Sequence, residues 1–248
     1  MKIKIYGYGW VGKAVHSIFP DAVVHDPAMG HVYEDDADIA MVCVPTPNTQ
    51  DGTLDMSIVM DVVRQSKEDL IVIRSTLQPG TADTLATMFD KNICVQPEYL
   101  GETTAHPLLE ESERKFLIIG GKPENRRKLI ELYQGVYNAN ISIRQVTNYE
   151  AEVIKLSENR AIMYKVAQAQ ELYDACQNNG VDYYTVRDAV YGDDPRFNLW
   201  FTFVYPDKRG ANSKCIPKDV LAWSAWANQP LTKDLLKYNQ GLLDAQSR

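Results

Sequence analysis

Ile3-Lys4-Ile5-Tyr6-Gly7-Tyr8-Gly9-Trp10-Val11-Gly12 opens the chain with an apolar, strand-like run that passes directly into G-x-G-x-x-G. The spacing carries meaning because each glycine answers a separate steric demand. Gly7 permits a tight turn off the strand, Gly9 lets backbone approach a pyrophosphate, and Gly12 lets the next helix pack close to the strand. A helix over Val11–Ile18 would aim its unbonded N–H groups and positive end at a diphosphate. Gly7, Gly9, Trp10, Val11 and Gly12 are therefore the candidate diphosphate seat. Asp26 follows 19 residues after Gly7, at the end of the next apolar run. A carboxylate there accepts hydrogen bonds from both ribose hydroxyls and repels a 2′-phosphate, and Pro27-Ala28-Met29 supplies no cation. The expected cofactor is NAD, not NADP.

Outward from this turn, the first half alternates short apolar runs with helical stretches. Strands are expected at Ile3–Tyr6, Ala22–His25, Ile39–Val44, Leu70–Ile73, Ile93–Gln96 and Phe116–Ile119. Continuous apolar runs of this kind suit strands buried on both faces of a parallel sheet. Helices are expected at Met56–Gln65, Thr81–Met88 and Glu124–Tyr137. Only 11 residues separate Asp26 from Asp38, which barely accommodates a crossover helix. The reading is an α/β Rossmann-type doubly wound parallel sheet over residues 1–145. Residues 146–248 then form an all-helical domain with no strand after residue 146. It is entered through a long connecting helix over Thr147–Asn178, with further helices at Tyr183–Val190, Pro217–Ala227 and Thr232–Ala245.

A net charge of −7 argues against nucleic-acid binding, which needs clustered cations. No apolar stretch is long enough to span a bilayer and none resembles a leader, so a soluble, cytoplasmic protein is expected. None of the four cysteines forms a C-x-x-C pair, and no metal site is expected. Cys43 and Cys94 lie in apolar runs and read as core residues, as does Cys176 late in the long helix. Cys215 stands apart, in a polar, turn-rich segment.

Six later segments, in order, resemble the UDP-glucose/GDP-mannose dehydrogenase family. They are Val44-Pro45-Thr46-Pro47, Asp51-Gly52-Thr53-Leu54-Asp55, Ser75-Thr76-Leu77-Gln78-Pro79-Gly80-Thr81, Pro97-Glu98-Tyr99-Leu100-Gly101-Glu102, Glu152-Val153-Ile154-Lys155 with Asn159, and Lys214-Cys215-Ile216-Pro217-Lys218-Asp219. The resemblance implies twofold oxidation of a sugar nucleotide's primary alcohol to a carboxylate. The aldehyde is held on a cysteine as a thiohemiacetal and then as a thioester. It implies Cys215 as nucleophile, Lys155 as oxyanion stabiliser with Asn159 one turn away, and Asp219 as base or water-orienting group. Glu98 would serve thioester hydrolysis, with Thr76 holding water. Val44, Pro45, Thr46, Ser75, Thr76 and Glu102 would border the cofactor. Glu98, Tyr99, Leu100, Lys155, Asn159, Gly210 and Lys218 would border a small-molecule nucleotide sugar, and the helical domain would form a homodimer.

Two features depart from the family pattern. The segment before Cys215 reads Lys208-Arg209-Gly210-Ala211-Asn212-Ser213-Lys214, where the family is glycine-rich, so three cations are on offer to a diphosphate. The chain also resembles a short form lacking the family's C-terminal nucleotide-binding domain. Two alternatives stand beside this reading. One is a β-hydroxyacid dehydrogenase using Lys155 and Asn159 without covalent catalysis, and the other is a truncated, non-catalytic NAD-binding protein.

Overall fold

The computed structural model describes residues 1–33, 37–101, 106 and 108–246. The chain divides into two compact units, one of residues 1–49 and 54–155, the other of residues 50–53 and 156–248. The division falls within a single long helix, between Lys155 and Leu156.

The first unit contains β1 (Ile3–Tyr6), α1 (Trp10–Ile18), β2 (Val23–His25), β3 (Ile39–Val42), α2 (Ser57–Gln65), β4 (Leu70–Ile73), α3 (Thr81–Phe89) and β5 (Ile93–Val95). It continues with β6 (Phe116–Gly120), α4 (Pro123–Tyr133), β7 (Ser142–Val146) and the start of α5 (Asn148–Asn178). The main sheet is parallel with strand order β2-β1-β3-β4-β5, and β6 pairs with β7 in a separate parallel ladder. Every residue of β1, β3, β4 and β5 is buried, and successive side chains supply opposite faces. Ile3, Ile5, Ile39, Met41, Leu70 and Val72 pack with Val15 of α1 and with Leu129 and Tyr133 of α4. Ala40, Val42, Ile71 and Ile73 pack with Val59 and Val63 of α2, Ala82 and Leu85 of α3, and Ala151 of α5. Helices thus cover both faces, and the doubly wound arrangement follows.

Two sequence expectations are corrected. A strand is present at Ser142–Val146, where none was foreseen. It pairs with β6 alone and leaves Ser142, Arg144 and Gln145 exposed, so its polar side chains hid it. The helix expected to reach Tyr137 ends at Tyr133, and a turn carries Tyr137 back into the core. Between Asp26 and Asp38 the described residues hold one 3₁₀ turn, Pro27–Met29, as the short spacing, with little room for a crossover helix, leads one to expect.

The N-terminal turns of α5 are tied to the sheet. Asn148 accepts the Val95 N–H (3.0 Å) and donates to Asp83 (3.0 Å) and to the Ile93 carbonyl (3.3 Å). Glu152 accepts the N–H groups of Gly80 (2.5 Å) and Ala82 (2.8 Å), serving as the cap that α3 lacks from its own sequence. Between them Ala151 faces Gly120, where an added Cβ would lie 2.8 Å from the Ala151 methyl.

The second unit contains the rest of α5, then α6 (Tyr183–Arg187), α7 (Ile216–Ala227) and α8 (Pro230–Gln246). A π-helical turn at Asp188–Asp193 prolongs α6. Its core is small: Met163, Ala211, Val220 and Leu235 form one cluster, and Ala169, Cys176, Tyr183 and Val204 another. Among the described residues no helix is long and apolar enough to cross a membrane.

Burial lifts the Glu152 carboxyl from its ordinary 4.5 to about 7, against the downward pull of its two backbone N–H bonds. The folded chain therefore holds this proton more tightly than the unfolded chain. The associated stabilisation is complete below about 4.5 and is lost as pH rises through about 7. Glu152→Gln does not titrate. Thermal melts from about pH 5 to about pH 8 should show the wild-type advantage over E152Q shrinking as pH rises. A pH-independent gap would exclude this linkage.

Candidate functional site

In the first unit the chain runs from β1 outward to β2, then returns across β1 to β3. The reversal places the ends of β1 and β3 at a topological switch point, where open α/β sheets bind ligands. Gly7 has φ +88°, and a Cβ there would lie 2.8 Å from the Cys43 carbonyl oxygen. At Gly12 a Cβ would come within 2.0 Å of the Gly7 carbonyl oxygen, so α1 can sit this close only without a side chain. At Gly9 a Cβ meets nothing within 4 Å, which leaves the turn open on its outer side. Gly9 caps α1 without any side-chain hydrogen bond to the helix N-terminus. The turn thus has the room and the polarity for a diphosphate. Trp10 is exposed and Val11 half-buried beside it.

Asp26 immediately follows β2. Its carboxylate accepts the Tyr8 N–H (2.7 Å) and the Met29 N–H (3.2 Å), tying the glycine-rich turn to the second strand. The exits of β3 and β4 are stitched together in the same unit. Thr46 Oγ1 donates to the Thr76 carbonyl (2.9 Å), and Ser75 Oγ donates to the Val44 carbonyl (2.7 Å). Val44, Thr46, Ser75 and Thr76 are therefore brought together, with Pro45 exposed between the first two. Glu102 lies outside the described residues.

The loop leaving β5 holds Glu98, Tyr99 and Leu100. Glu98 is buried and bound by Arg74, by Arg114 (2.7 Å), and by the N–H groups of Tyr99 (2.6 Å) and Leu100 (2.7 Å). Burial would raise its proton affinity, but the two guanidinium groups and two N–H donors outweigh it and hold the carboxyl below the usual range. Lys155 is buried, with its ammonium nitrogen 5.0 Å from the Tyr99 ring centroid.

The second unit brings together Asn159, Lys218 and Asp219. Asp219 is fully buried in the first turn of α7. One carboxylate oxygen accepts the Asn159 amide (2.5 Å) and the other the Lys218 ammonium (2.6 Å). Cys215 caps the same helix, and its carbonyl accepts the Asp219 N–H (2.9 Å). Cys215 is exposed, whereas Cys43, Cys94 and Cys176 are buried, and burial pushes the Cys43 and Cys94 thiols up to about 12. This contrast separates one solvent-accessible thiol from three packed in cores.

The segment before Cys215 is held by a residue that the motifs did not single out. Asn239 of α8 accepts the Ala211 N–H (2.6 Å) and donates to the Ala211 carbonyl (3.1 Å). Gly210, at φ +78°, could not carry a side chain there, because a Cβ would lie 2.9 Å from the Asn239 amide oxygen. A lone Asn in a helical pattern gives no warning of this role. Arg209 binds Gln170 and Asp174 (2.7 Å) and lies over the Tyr173 ring (4.9 Å). Of the three cations in the segment, Lys208 and Lys214 are the exposed ones. Among the described residues no cluster of three or more His, Cys, Asp or Glu could hold a metal ion.

A glycine-rich turn at the switch point, a carboxylate after β2 and an attached helical unit define a dinucleotide-binding protein of the dehydrogenase type. Residues 30–138 match the NAD binding domain of the UDP-glucose/GDP-mannose dehydrogenase family, and residues 149–240 match its central domain, so the chain belongs to that family. It is 27% identical over 206 residues to UDP-glucose 6-dehydrogenase of Rickettsia typhi, a match covering 77% of this chain and 46% of that protein. It is 28% identical over 228 residues to GDP-mannose 6-dehydrogenase of Pseudomonas aeruginosa, covering 82% and 51%. The chain therefore spans about half the length of these curated relatives. A UDP-glucose dehydrogenase structure from Pyrobaculum islandicum superposes with a TM-score of 0.80 at 22% identity, covering 96% of this chain and 68% of that one, and so shares the fold.

The glycines predict a graded response. Gly12→Ala forces the helix off the strand and should cost about 1–3 kcal/mol, as overpacking does, together with NAD binding. Gly9→Ala should fold like wild type, and any loss of NAD affinity then reports directly on the diphosphate approach. Calorimetric titration with NAD and thermal melts of both variants check this. Equal melting temperatures for G12A and wild type would contradict the packing argument.

Proposed function

We propose that this chain oxidises the primary alcohol of a nucleotide sugar, of the UDP-glucose kind, to the uronic acid, using NAD and Cys215. When bound, NAD accepts the hydride in each oxidation, and Gly7, Gly9, Trp10, Val11, Gly12 and Asp26 would hold its adenosine diphosphate portion. The remaining chemistry falls to side chains of this chain. The Cys215 thiolate adds to the aldehyde carbon and retains it as a thiohemiacetal. Lys155 and Asn159 stabilise the oxyanion of the adduct. Asp219 orients and deprotonates the water that hydrolyses the later thioester. Val44, Thr46, Ser75 and Thr76 line the cofactor, and the helical unit pairs two copies in a homodimer.

The observation that carries this reading is the buried Asp219, bonded to Asn159 and Lys218 on the helix that Cys215 caps. A buried carboxylate costs several kcal/mol unless paired, and it sits here one helical turn from an exposed thiol. A dehydrogenase without covalent catalysis has no need of that thiol. Family membership supports the nucleotide-sugar reading over the β-hydroxyacid alternative.

Purified protein with NAD and a panel of sugar nucleotides should reduce NAD with at least one of them. Cys215→Ser should then stop the reaction after the first oxidation, releasing aldehyde and about half the NADH per sugar. Full two-step turnover by C215S would eliminate the covalent route. Asp219→Asn should slow product release by about 10²–10⁴-fold, the usual range for a general base, and leave a Cys215-linked adduct visible by intact mass.

A further inference from the structure

The loop that leaves β5 is gripped by four buried charges. Glu111 is fully enclosed and binds Arg74 (3.1 Å), Arg114 (2.7 Å) and the Tyr137 hydroxyl (3.1 Å). The same two guanidinium groups bind Glu98, which also takes the N–H groups of Tyr99 and Leu100. Two carboxylate oxygens offer about four acceptor sites. Glu98 takes three donors on one oxygen, from Arg114, Tyr99 and Leu100, and one on the other, from Arg74. These bonds fix the backbone on which Tyr99 stands.

The Tyr99 ring is buried against Phe116, with centroids 5.2 Å apart. The Arg114 guanidinium lies 5.6 Å from its centroid and the Lys155 ammonium 5.0 Å. Both lie within the distance at which a ring quadrupole attracts a cation. Glu98, Tyr99, Glu111, Arg114 and Lys155 all belong to the first unit, so the contacts form one continuous chain within it.

We propose that Tyr99 is a positioning residue whose ring, set by the Arg74–Glu98–Glu111–Arg114 cluster, holds the Lys155 ammonium in place. The proposal rests on Lys155 being the oxyanion-stabilising cation of the reaction above. It adds the device that keeps a long, flexible side chain in one pose. Lysine carries much rotamer freedom, and burial beside an aromatic face removes it before substrate arrives. The buried cluster is itself over-determined, because removing any one charge leaves another enclosed and uncompensated.

The test uses the full chain with NAD. Competitive acetylation, read by peptide mass spectrometry, should show Lys155 labelled about tenfold faster in Tyr99→Leu than in wild type, with Tyr99→Phe unchanged. With whichever sugar nucleotide wild type oxidises, Y99L should lower kcat about tenfold and leave KM within about twofold, the pattern of an interaction made in the transition state. Wild-type labelling and wild-type kcat in Y99L would overturn the proposal. Glu111→Gln should lower the melting temperature and speed Lys155 labelling as Y99L does, because the cluster sets the ring. If wild type oxidises no sugar nucleotide, the functional reading fails, while the labelling result still decides the Tyr99–Lys155 contact.

Discussion

The seating of α5 on the sheet is the constraint on which the site in the first unit depends. Asn148 and Glu152 place four hydrogen bonds on the edge of β5 and the start of α3, and a fifth contact is polar as well, from Asn148 to Asp83. Ala151 fits the bare backbone of Gly120 between them. Ordinary helix propensity would form a helix here but would not fix its rotation. The paired polar and close-packed contacts do so, and Lys155 comes off the helix one turn later, against Tyr99.

Three buried carboxylates show how one functional group takes three characters. Glu98 is held charged by two arginines and two N–H groups. Glu152 is bonded by two backbone N–H groups, and burial, helped by the nearby Asp83 charge, wins and lifts it to about 7. Asp219 is bonded to the Asn159 amide and the Lys218 ammonium, one on each oxygen.

Much of the fold is legible in the sequence because its signals are local. The continuous apolar runs at Ile39–Val42 and Leu70–Ile73 announce strands enclosed on both faces, and both are such strands. Ser142–Val146 is illegible for the opposite reason, since a strand with one partner and a solvated face lacks the apolar pattern. The glycine-rich turn is equally readable, because the Cβ clashes at Gly7 and Gly12 arise between residues that the turn itself brings together or places at a neighbouring strand end. Arg209 was open to a different reading, as a diphosphate ligand, until Gln170 and Asp174, on a distant helix in the chain, proved to be its partners.

Sequence alone determined the doubly wound α/β half, the helical half, the dinucleotide turn and the singular setting of Cys215, because periodicity, glycine spacing and local polarity are short-range properties. Only the tertiary structure decided how each buried carboxylate is held. Beside its next two N–H groups, Glu98 is held by Arg74 and Arg114, 24 and 16 residues away, and Asp219, beside its neighbour Lys218, by Asn159, 60 residues away. The proton affinity of a buried group is set by what surrounds it in space, and no reading of its neighbours along the chain contains that information.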